Sequence, residues 1–422
     1  MKPEMIADLK RLMDYEAKRT APPAEFPFLP DLPGGRYTDP RFHALEQEHI
    51  FRRTWLLAAH IDEVPDPGCY LRWENAGEPV IIVHGHDGVV RAFYNTCSHR
   101  GAPVVTDDAG RTRRFVCSYH AWTYDTDGSL AGFRNPEDFR GLDKSCRGLR
   151  EVRCERFGNL IFVNFDPDAP TFREWIGPIA EEWEEFQFDR CRLTGRHIFD
   201  LDCNWKIAME ANTEVYHVPV IHPVTVAPML DDRKNVNTLY PNGHGRMVAP
   251  GHDGAAPPDL TGGFLPEIKT VGEIGRTCTQ SYGIFPNWVS PLSQFTIPPL
   301  LFWPNGVDKC RYEVWTMIHD WGEGEKPNFL NMWTNGDGSE LSQVLQEDTQ
   351  FSAAIQKSVS SKGFTGVPLS YQEARIYHWN QQADRMIGIE NIPEELRVAQ
   401  VIGDDWIFPN DPRLAEIDAS SE

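Results

Sequence analysis

Two short segments of the sequence each place a cysteine beside a histidine. Cys97 and His99 lie in the run CSH, and after 17 intervening residues Cys117 and His120 lie in the run CSYH. Two thiolates and two imidazoles can hold a structural zinc ion, or a two-iron, two-sulfur cluster with the cysteines on one iron and the histidines on the other. Structural zinc sites usually keep like ligands together, whereas both segments here are mixed. The pattern therefore favours the iron–sulfur cluster, with zinc as the alternative.

A second group of candidate ligands lies in the run EANTEVYHVPVIHP. Glu214 and His217 are three residues apart, a spacing that puts them on one helix face. His222 follows five residues later, and Pro219 between the histidines ends or kinks the helix, so that His222 can turn back towards His217. Two histidines and one carboxylate are the ligands of non-haem Fe(II) oxygenases. The segment thus predicts a mononuclear metal site whose third ligand the local sequence does not supply.

The elements that would carry these ligands change in type along the chain. Residues 1–20 have the apolar period of a helix, and short strands separated by Gly, Pro and Asp follow from about Arg41 to Asp166. The remainder mixes helices and strands, with helices predicted around 205–217, over 340–359 and over 371–389. We therefore predict an α+β fold with three parts: an N-terminal helical arm at 1–40, an all-β domain at 41–166, and a larger mixed domain at 167–422.

Composition excludes several classes of protein. The chain has 422 residues, and 62 acidic against 41 basic side chains give a net charge of −21, which argues against a nucleic-acid partner. Nine cysteines, an odd number, exclude a fully paired disulfide framework and predict free thiols. No apolar run reaches the roughly 18 residues of a membrane helix. The charged N-terminus lacks a secretory h-region. We expect a cytoplasmic protein that does not bind membranes.

The two cysteine–histidine segments resemble the ligand loops of the Rieske oxygenases. They read YNTCSHRGAPV and FVCSYHAWTYDTDGSL, with Ala121 where Gly is commoner, and NWK followed by E-x-x-H-x₄-H resembles the mononuclear-iron motif of the same family. The resemblance implies a Rieske [2Fe–2S] cluster on Cys97, His99, Cys117 and His120. It also implies that 41–166 is the Rieske domain and that 167–422 is a catalytic mononuclear-iron domain of helix-grip type, with an antiparallel sheet, flanking helices and the N-terminal arm packed on it.

The family resemblance also implies the ligands of the mononuclear iron. His217 and His222 would bind Fe(II) with a distant carboxylate, and the family pattern of Glu-Asp followed by Gln, matched here by Gln356, selects Asp348. Neighbouring residues on a helix point about 100° apart, so Glu347 and Asp348 cannot both face one metal. Three alternatives to Asp348 remain at this point: Glu347, Glu340 and Asp337.

Glu214 has a separate role in the family pattern. The equivalent carboxylate, more often Asp, carries electrons between metal centres of different subunits, so Glu214 would contact His217 and the Rieske histidine that matches His120 of the partner subunit. This arrangement predicts a homotrimer in which each chain's cluster serves the iron of its neighbour.

The implied activity is that of a terminal oxygenase component. It would use O₂ as cosubstrate and external electrons to hydroxylate or demethylate a small, aromatic or apolar substrate, as a mono- or dioxygenase. The chain has neither a G-x-G-x-x-G fingerprint after a strand nor the cysteine run of a plant-type ferredoxin. Electrons would therefore come from a separate NAD(P)H-dependent reductase, a ferredoxin or both.

Two other functions remain open from the sequence. Glu at the bridging position is found in family members that act on carnitine-like quaternary amines, so a quaternary ammonium monooxygenase or N-demethylase is one alternative. A non-catalytic zinc- or cluster-binding electron-transfer protein is the other.

Further residues are candidates for the pocket and for donor docking. The Gly- and Pro-rich stretch 242–263 and five aromatic residues could line or cover the substrate pocket: Phe285, Trp288, Phe295, Phe302 and Trp303. Arg100 and the basic run 111–114 beside the cluster could receive an acidic electron donor. The other seven cysteines are expected to pack as free thiols.

Overall fold

The structure is a computed structural model that describes residues 1–255, 265–327, 333–335 and 338–421. The chain divides into a smaller unit, Phe51–Trp175, and a larger unit, Met1–Ile50 with Ile176–Glu422. The predicted boundaries at 41 and 166 differ from this division. Residues 41–50 belong to the larger unit because Glu46 is buried there in an ion pair, and residues 167–175 belong to the smaller unit because Phe172 stacks on Phe162, with ring centroids 3.7 Å apart.

The smaller unit consists of two antiparallel sheets. The order of the seven-stranded sheet is β1-β10-β9-β4-β3-β2-β5, and the other sheet pairs β6, β7 and β8. The strands are β1 Leu56–His60, β2 Cys69–Trp73, β3 Val80–His84, β4 Val90–Tyr94, β5 Ala109–Arg111, β6 Phe115–Val116, β7 Thr123–Tyr124, β8 Leu130–Gly132, β9 Glu151–Phe157 and β10 Leu160–Asn164. Cys97 and Cys117 belong to its buried apolar core together with Phe93, Trp122 and Tyr124. The expected all-β unit is therefore present.

The larger unit is built on a third antiparallel sheet, which has eight strands. Its order is β11-β18-β17-β15-β14-β13-β12, with β16 paired to β18. The strands are β11 Cys191–Leu201, β12 Val236–Leu239, β13 Gly245–Pro250, β14 Cys278–Ile284, β15 Trp288–Leu292, β16 Thr296–Ile297, β17 Leu300–Pro304 and β18 Cys310–His319. The helices, including α3 at the unit boundary, are α1 Pro3–Lys18, α2 Pro40–Glu46, α3 Phe172–Ile176, α4 Ile179–Glu182, α5 Trp205–Ala211, α6 Val218–Ile221, α7 Glu273–Thr277, α8 Gln343–Thr349, α9 Ser352–Val359, α10 Ala374–Ile387 and α11 Pro412–Ser421. The predicted α+β class is confirmed.

Helices cover this sheet through their apolar faces. The N-terminal helix α1 packs Leu9, Leu12 and Met13 against Val236 of β12 and Val248 of β13. Helix α10 is almost entirely buried, and its Trp379 Nε1 donates to the carbonyl of Pro286 at 2.8 Å. Within the described residues, no helix has the length and apolarity needed to cross a membrane.

Three expectations about local structure need correction. The helix predicted around 205–217 ends at Ala211, because the Thr213 hydroxyl donates to the Met209 carbonyl and a new short helix with Pro219 in its first turn begins at Val218. The helix predicted over 340–359 is two helices, α8 and α9. The predicted loop 242–263 contains β13, whose residues pair with β12 and β14; its part from 256 onwards lies outside the described residues.

Candidate metal centres

The two cysteine–histidine segments fold into matching loops in the smaller unit. The Gly101 N–H donates to the Cys97 carbonyl, and the Ala121 N–H donates to the Cys117 carbonyl, both at 2.9 Å. Both closing residues have left-handed backbone, with φ of 76° at Gly101 and 57° at Ala121. This conformation explains why glycine is commoner at the second position. The matched turns bring the four predicted cluster residues into one region of the core.

The histidines of these loops lie side by side. The rings of His99 and His120 have centroids 4.6 Å apart, and His99 stacks on Trp122 with ring planes 6° apart. The Nδ1 atom of His99 is buried and has no hydrogen-bond partner among the described residues. Buried ring nitrogens are normally paired, so an unpaired one beside two buried thiols suits a ligand of the expected iron–sulfur cluster.

Tyr124 is a residue of this site that the sequence did not single out. Its hydroxyl lies 3.1 Å from Cys97 Sγ and receives a hydrogen bond from the Ser98 N–H at 3.1 Å. Burial raises the pKa of the Cys97 thiol, and the contact with Tyr124 opposes that rise. Hydrogen bonds to ligand sulfurs help to set the reduction potential of such clusters. Tyr124 therefore belongs to the candidate site through its sulfur contact.

The larger unit brings together two histidines and one carboxylate. The Nε2 atom of His222 lies 2.8 Å from Asp348 Oδ1, and the Nε2 atom of His217 lies 3.3 Å from the same oxygen. One ligand atom from each of the three residues lies within 4.8 Å of the others. Two imidazoles and one carboxylate in this arrangement form the donor set typical of a non-haem iron site.

Each histidine also contacts a further carboxylate through its Nδ1 atom. The Nδ1 atom of His217 contacts Glu214, which also accepts from the His217 backbone N–H at 3.1 Å. The Nδ1 atom of His222 lies 2.7 Å from Glu347 Oε2, which accepts from the Thr225 hydroxyl at 2.5 Å. Carboxylates in this position fix the ring orientation of metal-binding histidines. Glu347 therefore orients His222 while Asp348 faces the ligand centre.

Of the other two carboxylate alternatives, Glu340 does not belong to the converging group of ligands. Glu340 is exposed, and its backbone N–H is bonded to the Asn335 side chain. Asp337 lies outside the described residues.

The surrounding charges favour a cation between the three ligands. Burial acts to lower the pKa of His217, but hydrogen bonds and charges from Asp348 and Glu214 outweigh burial and raise that pKa to about 9. Burial likewise opposes, and Asp348 together with Glu347 supports, a raised pKa of His222. The site therefore attracts positive charge, as a divalent metal requires, and the residues fit the expected iron.

Helix α5, which precedes the ligand segment, is fixed at its N-terminus by buried polar contacts. The Asn204 side chain accepts from the Lys206 N–H at 3.1 Å and acts as the N-cap. The Asn204 N–H donates to Gln356 Oε1 at 2.6 Å, and Gln356 Nε2 donates to the Tyr37 carbonyl at 3.2 Å. Gln356, matched to the family pattern, thus ties α9 to the start of α5.

The lysine of the NWK run is buried with its charge paired. Lys206 Nζ lies 2.8 Å from Glu46 Oε1, and both side chains are 0% exposed. The ammonium also lies 5.3 to 5.6 Å from the ring centroids of Trp205, Tyr37 and Phe42. This pair anchors α5 to α2, 160 residues earlier in the chain.

Arg375 supports the turn just before Glu214. Its Nη1 donates to the Thr213 carbonyl at 2.7 Å. The guanidinium lies over Gly245 and Gly283, which are paired in neighbouring strands, and a Cβ on either glycine would approach it to 3.0 Å. The two glycines therefore make room for a buried arginine, a role that no local sequence pattern indicates.

A cavity of about 220 Å³ adjoins the three converging residues. Much of its wall is aliphatic: Val215, Val218, Val226, Met229, Leu230, Met247, Val289, Pro291, Leu292, Leu300, Val344 and Leu345. Among the described residues, Phe295 and Trp333 supply its aromatic side chains. Of the five aromatic residues predicted for the pocket, only Phe295 lines this cavity; Phe285, Trp288, Phe302 and Trp303 are buried in the core, where the sheet packs. Met247 is the residue of the predicted loop that reaches the cavity.

The predicted basic patch near the cluster is partly neutralised. Arg111 lies 3.6 Å from Asp66, and Arg114 lies 2.6 Å from Asp125. Arg100 lies over the exposed ring of Tyr119 at 5.4 Å from its centroid.

Two known protein families match separate parts of the chain, one in the smaller unit and one in the larger unit. Residues 54–144 match the family described as Rieske [2Fe-2S] domain, and residues 188–389 match the family described as ring hydroxylating alpha subunit (catalytic domain).

Two curated relatives differ in the chemistry named for them. The carnitine monooxygenase oxygenase subunit of Escherichia coli K12 is 31% identical over 346 residues, which are 79% of this chain and 86% of the relative. The biphenyl 2,3-dioxygenase subunit alpha of Rhodococcus jostii is 34% identical over 49% of this chain and 46% of its own length. The chain also spans about half the length of several other curated relatives that it matches.

A solved structure of naphthalene 1,2-dioxygenase from Rhodococcus sp. bound to indole has a TM-score of 0.71 to this chain at 21% identity. The match covers 92% of this chain and 98% of that one. At this identity the likeness supports the fold.

Proposed function

Because the chain belongs to the Rieske oxygenases, we propose that it is the terminal oxygenase component of an enzyme that oxidises a small aromatic or apolar molecule with O₂. The reaction would hydroxylate or demethylate the substrate with two electrons from outside the chain. The observation that carries this proposal is the convergence of His217, His222 and Asp348 beside a largely aliphatic cavity. A substrate in that cavity would lie next to the proposed iron.

The proposal assigns each cofactor to named residues. Cys97, His99, Cys117 and His120 would hold the [2Fe–2S] cluster, and His217, His222 and Asp348 would hold Fe(II). The iron would supply O₂ activation, which protein side chains cannot perform by themselves. The protein would keep both histidines in place through Glu214 and Glu347 and exclude water from the substrate through the aliphatic wall.

Electron transfer between subunits is the proposed role of Glu214. Its carboxylate contacts His217 and would accept a hydrogen bond from His120 of the partner subunit. In the larger unit, Tyr216, Val220 and Val224 of the ligand segment are exposed, as are Val116 and Tyr119 in the smaller unit. Exposed apolar residues of this kind are typical of protein interfaces. They support the proposed homotrimer, whose mass would be measured by light scattering after gel filtration.

The electron donor is proposed to be an NAD(P)H-dependent reductase, a ferredoxin or both. The smaller unit holds 16 basic and 18 acidic side chains, a nearly balanced charge, whereas the whole chain carries −21. An acidic donor would therefore meet less repulsion at the smaller unit. We also propose a cytoplasmic location, supported by nine free cysteines.

Substitution of Asp348 tests the proposed iron site. Asp348→Ala should lose the mononuclear iron and the oxygenase activity but retain the cluster, because the cluster residues lie in the smaller unit. Glu340→Ala, which removes an exposed carboxylate in the same region, serves as the control. Metal analysis and visible absorbance report the two centres separately. Full iron content and activity in Asp348→Ala would remove this residue from the site, and a colourless protein with one zinc per chain would refute the oxygenase.

A second candidate is a quaternary ammonium oxygenase. It is favoured by the extent of the match to the Escherichia coli carnitine monooxygenase subunit and by Glu at position 214. Quaternary amines are usually held over several aromatic faces, whereas the described cavity wall contains only Phe295 and Trp333. Thermal shifts of the anaerobic Fe(II) protein with carnitine, glycine betaine, naphthalene and biphenyl would distinguish the candidates. Stabilisation by the two amines alone would reverse our preference.

A further inference from the structure

Strand β14 places two hydroxyl side chains on the face of the sheet that carries the metal ligands. Thr279 pairs directly with Ala249 of β13, and Ser281 pairs with Met247. Residues directly opposite in neighbouring strands share one face of a sheet. Met247 and Ala249 pack in one apolar cluster with residues 215 and 218, which flank His217. Thr279 and Ser281 therefore face the ligand segment, and both line the 220 Å³ cavity.

These two hydroxyls are unpaired among the residues that the structure describes. Thr279 Oγ1 and Ser281 Oγ are buried and have no hydrogen-bond partner in the described parts of the chain, and Ser281 as a whole is 7% exposed. Ser293, which also lines the cavity, differs from them: its hydroxyl accepts from the backbone N–H of Phe295 at 3.2 Å and of Thr296 at 3.1 Å. Unpaired buried hydroxyls are rare because they lose their bonds to water.

The rest of the wall limits what could pair with these hydroxyls. Arg276 contacts Glu267, and the same guanidinium donates to Gln294 at 3.1 Å, so its charge is already engaged. Gln280 also lines the cavity and its side-chain atoms are also unpaired in the described parts of the chain, but in the strand register it lies opposite Val248. Val248 packs against the N-terminal helix on the opposite face of the sheet. Among the residues that the structure describes, the unpaired side-chain atoms on the ligand face of the sheet therefore belong to Thr279 and Ser281, which are neutral.

We propose that Thr279 and Ser281 determine substrate specificity by hydrogen bonding to a neutral oxygen group of the substrate. The substrate class is then an apolar molecule that carries a hydroxyl or carbonyl group, and neither an unsubstituted hydrocarbon nor a quaternary amine. This inference rests on the proposed oxygenase function, because it assigns the cavity to the substrate. The aliphatic wall would contact the hydrocarbon part of the substrate. The two hydroxyls, which belong to residues two apart on one strand, would form hydrogen bonds with its oxygen group.

Binding of matched ligands to the holoenzyme tests the proposal. Indane, 1-indanol and 1-indanone share one ring skeleton and differ in the oxygen group. Calorimetric titration under anaerobic conditions would compare the wild type with Ser281→Ala, Thr279→Val and Thr277→Val. Thr277 is the control, because its hydroxyl bonds the Glu273 carbonyl and does not line the cavity.

The expected result is a selective loss of affinity. Ser281→Ala, Thr279→Val or both should weaken the binding of 1-indanol and 1-indanone about 3- to 10-fold, as expected for one lost hydrogen bond. Indane should bind unchanged, and Thr277→Val should alter none of the three. Three results would overturn the proposal. They are equal effects of the substitutions on all three ligands, no effect on 1-indanol and 1-indanone, and failure of all three ligands to bind the wild type.

The outcome is separable from that of the oxygenase proposal. Iron content, visible absorbance of the cluster and O₂ consumption with a reductant test the oxygenase in the same preparations. Selective ligand binding by a protein without mononuclear iron would refute the oxygenase and leave the binding role of the hydroxyls intact. Thermal unfolding of each variant shows whether it is folded.

Discussion

Removal of the buried charge of Lys206 is expected to destabilise the larger unit strongly. At 2.8 Å and an effective dielectric constant of about 20, attraction to Glu46 is about 6 kcal/mol before desolvation is counted. Lys206→Met keeps much of the aliphatic stem and leaves Glu46 buried, with the Trp205 indole N–H at 3.4 Å as its remaining side-chain hydrogen-bond donor among the described residues. Breaking such a pair on one side typically costs about 3–5 kcal/mol.

The comparison that isolates the charge uses two further variants. Glu46→Met combined with Lys206→Met removes both ions, and it should regain much or all of the lost stability because neither charge remains unpaired. Lys2 forms an ion pair of similar length, 2.7 Å, with Glu181, but the two side chains are 72% and 61% exposed. Lys2→Met should therefore leave the stability unchanged within error, since water screens exposed pairs.

Urea unfolding followed by tryptophan fluorescence, with thermal unfolding as a second probe, measures these differences. A loss of this size lowers the unfolding midpoint by on the order of 10 °C in a unit of this size. The explanation fails if Lys206→Met is as stable as the wild type, or if the double variant is as unstable as the single one. Either result would mean that packing, and not the ion pair, holds the start of α5.

Three further predictions follow from single residues. Ala121→Gly should raise the free energy of unfolding by about 1 kcal/mol, because φ is 57° at this position. Thermal unfolding followed by the visible absorbance of the cluster would measure this change, and an unchanged or lower midpoint would contradict it. Burial lowers the pKa of His378 to about 4, below its unfolded value of about 6.5, so stability should fall by about 3 kcal/mol as pH decreases from 6.5 to 4. His378→Gln should remove that part of the pH dependence, as measured by urea unfolding at several pH values. Glu347→Ala should weaken mononuclear iron binding about 10- to 100-fold, because His222 loses the partner of its Nδ1, while Glu347→Gln should retain part of the affinity. Iron titration of the apoprotein would measure both affinities. Equal affinities in wild type and Glu347→Ala would contradict this role.

The features predicted best from sequence are those whose parts are close together along the chain. The α+β class, the β-rich region around the cysteine–histidine loops and the proximity of His217 to His222 depend on short-range spacing and strand patterns. The position of Ala121 in a left-handed turn also agrees with its place at a residue that is more often glycine.

Boundaries of helices were predicted less well. The segment 205–217 has helical composition throughout, yet the helix stops at Ala211. The side chains of Asn212 and Thr213 bond the carbonyls of Ala208 and Met209. Such local side-chain bonds compete with the helix ladder, and their formation depends on the surrounding contacts.

The sequence by itself thus determined the kinds of ligand, their local spacing and the resemblance that they carry. The resemblance favoured Asp348 as the third ligand, but only the tertiary structure decided how it faces both histidines while Glu347 contacts the Nδ1 of His222, 125 residues away in the chain. It also decided that Glu46 neutralises Lys206 and that Arg375 supports the Thr213 turn. The physical reason is that spacing constrains side chains within a few turns of each other, whereas contacts over more than a hundred residues depend on how the sheet and helices pack.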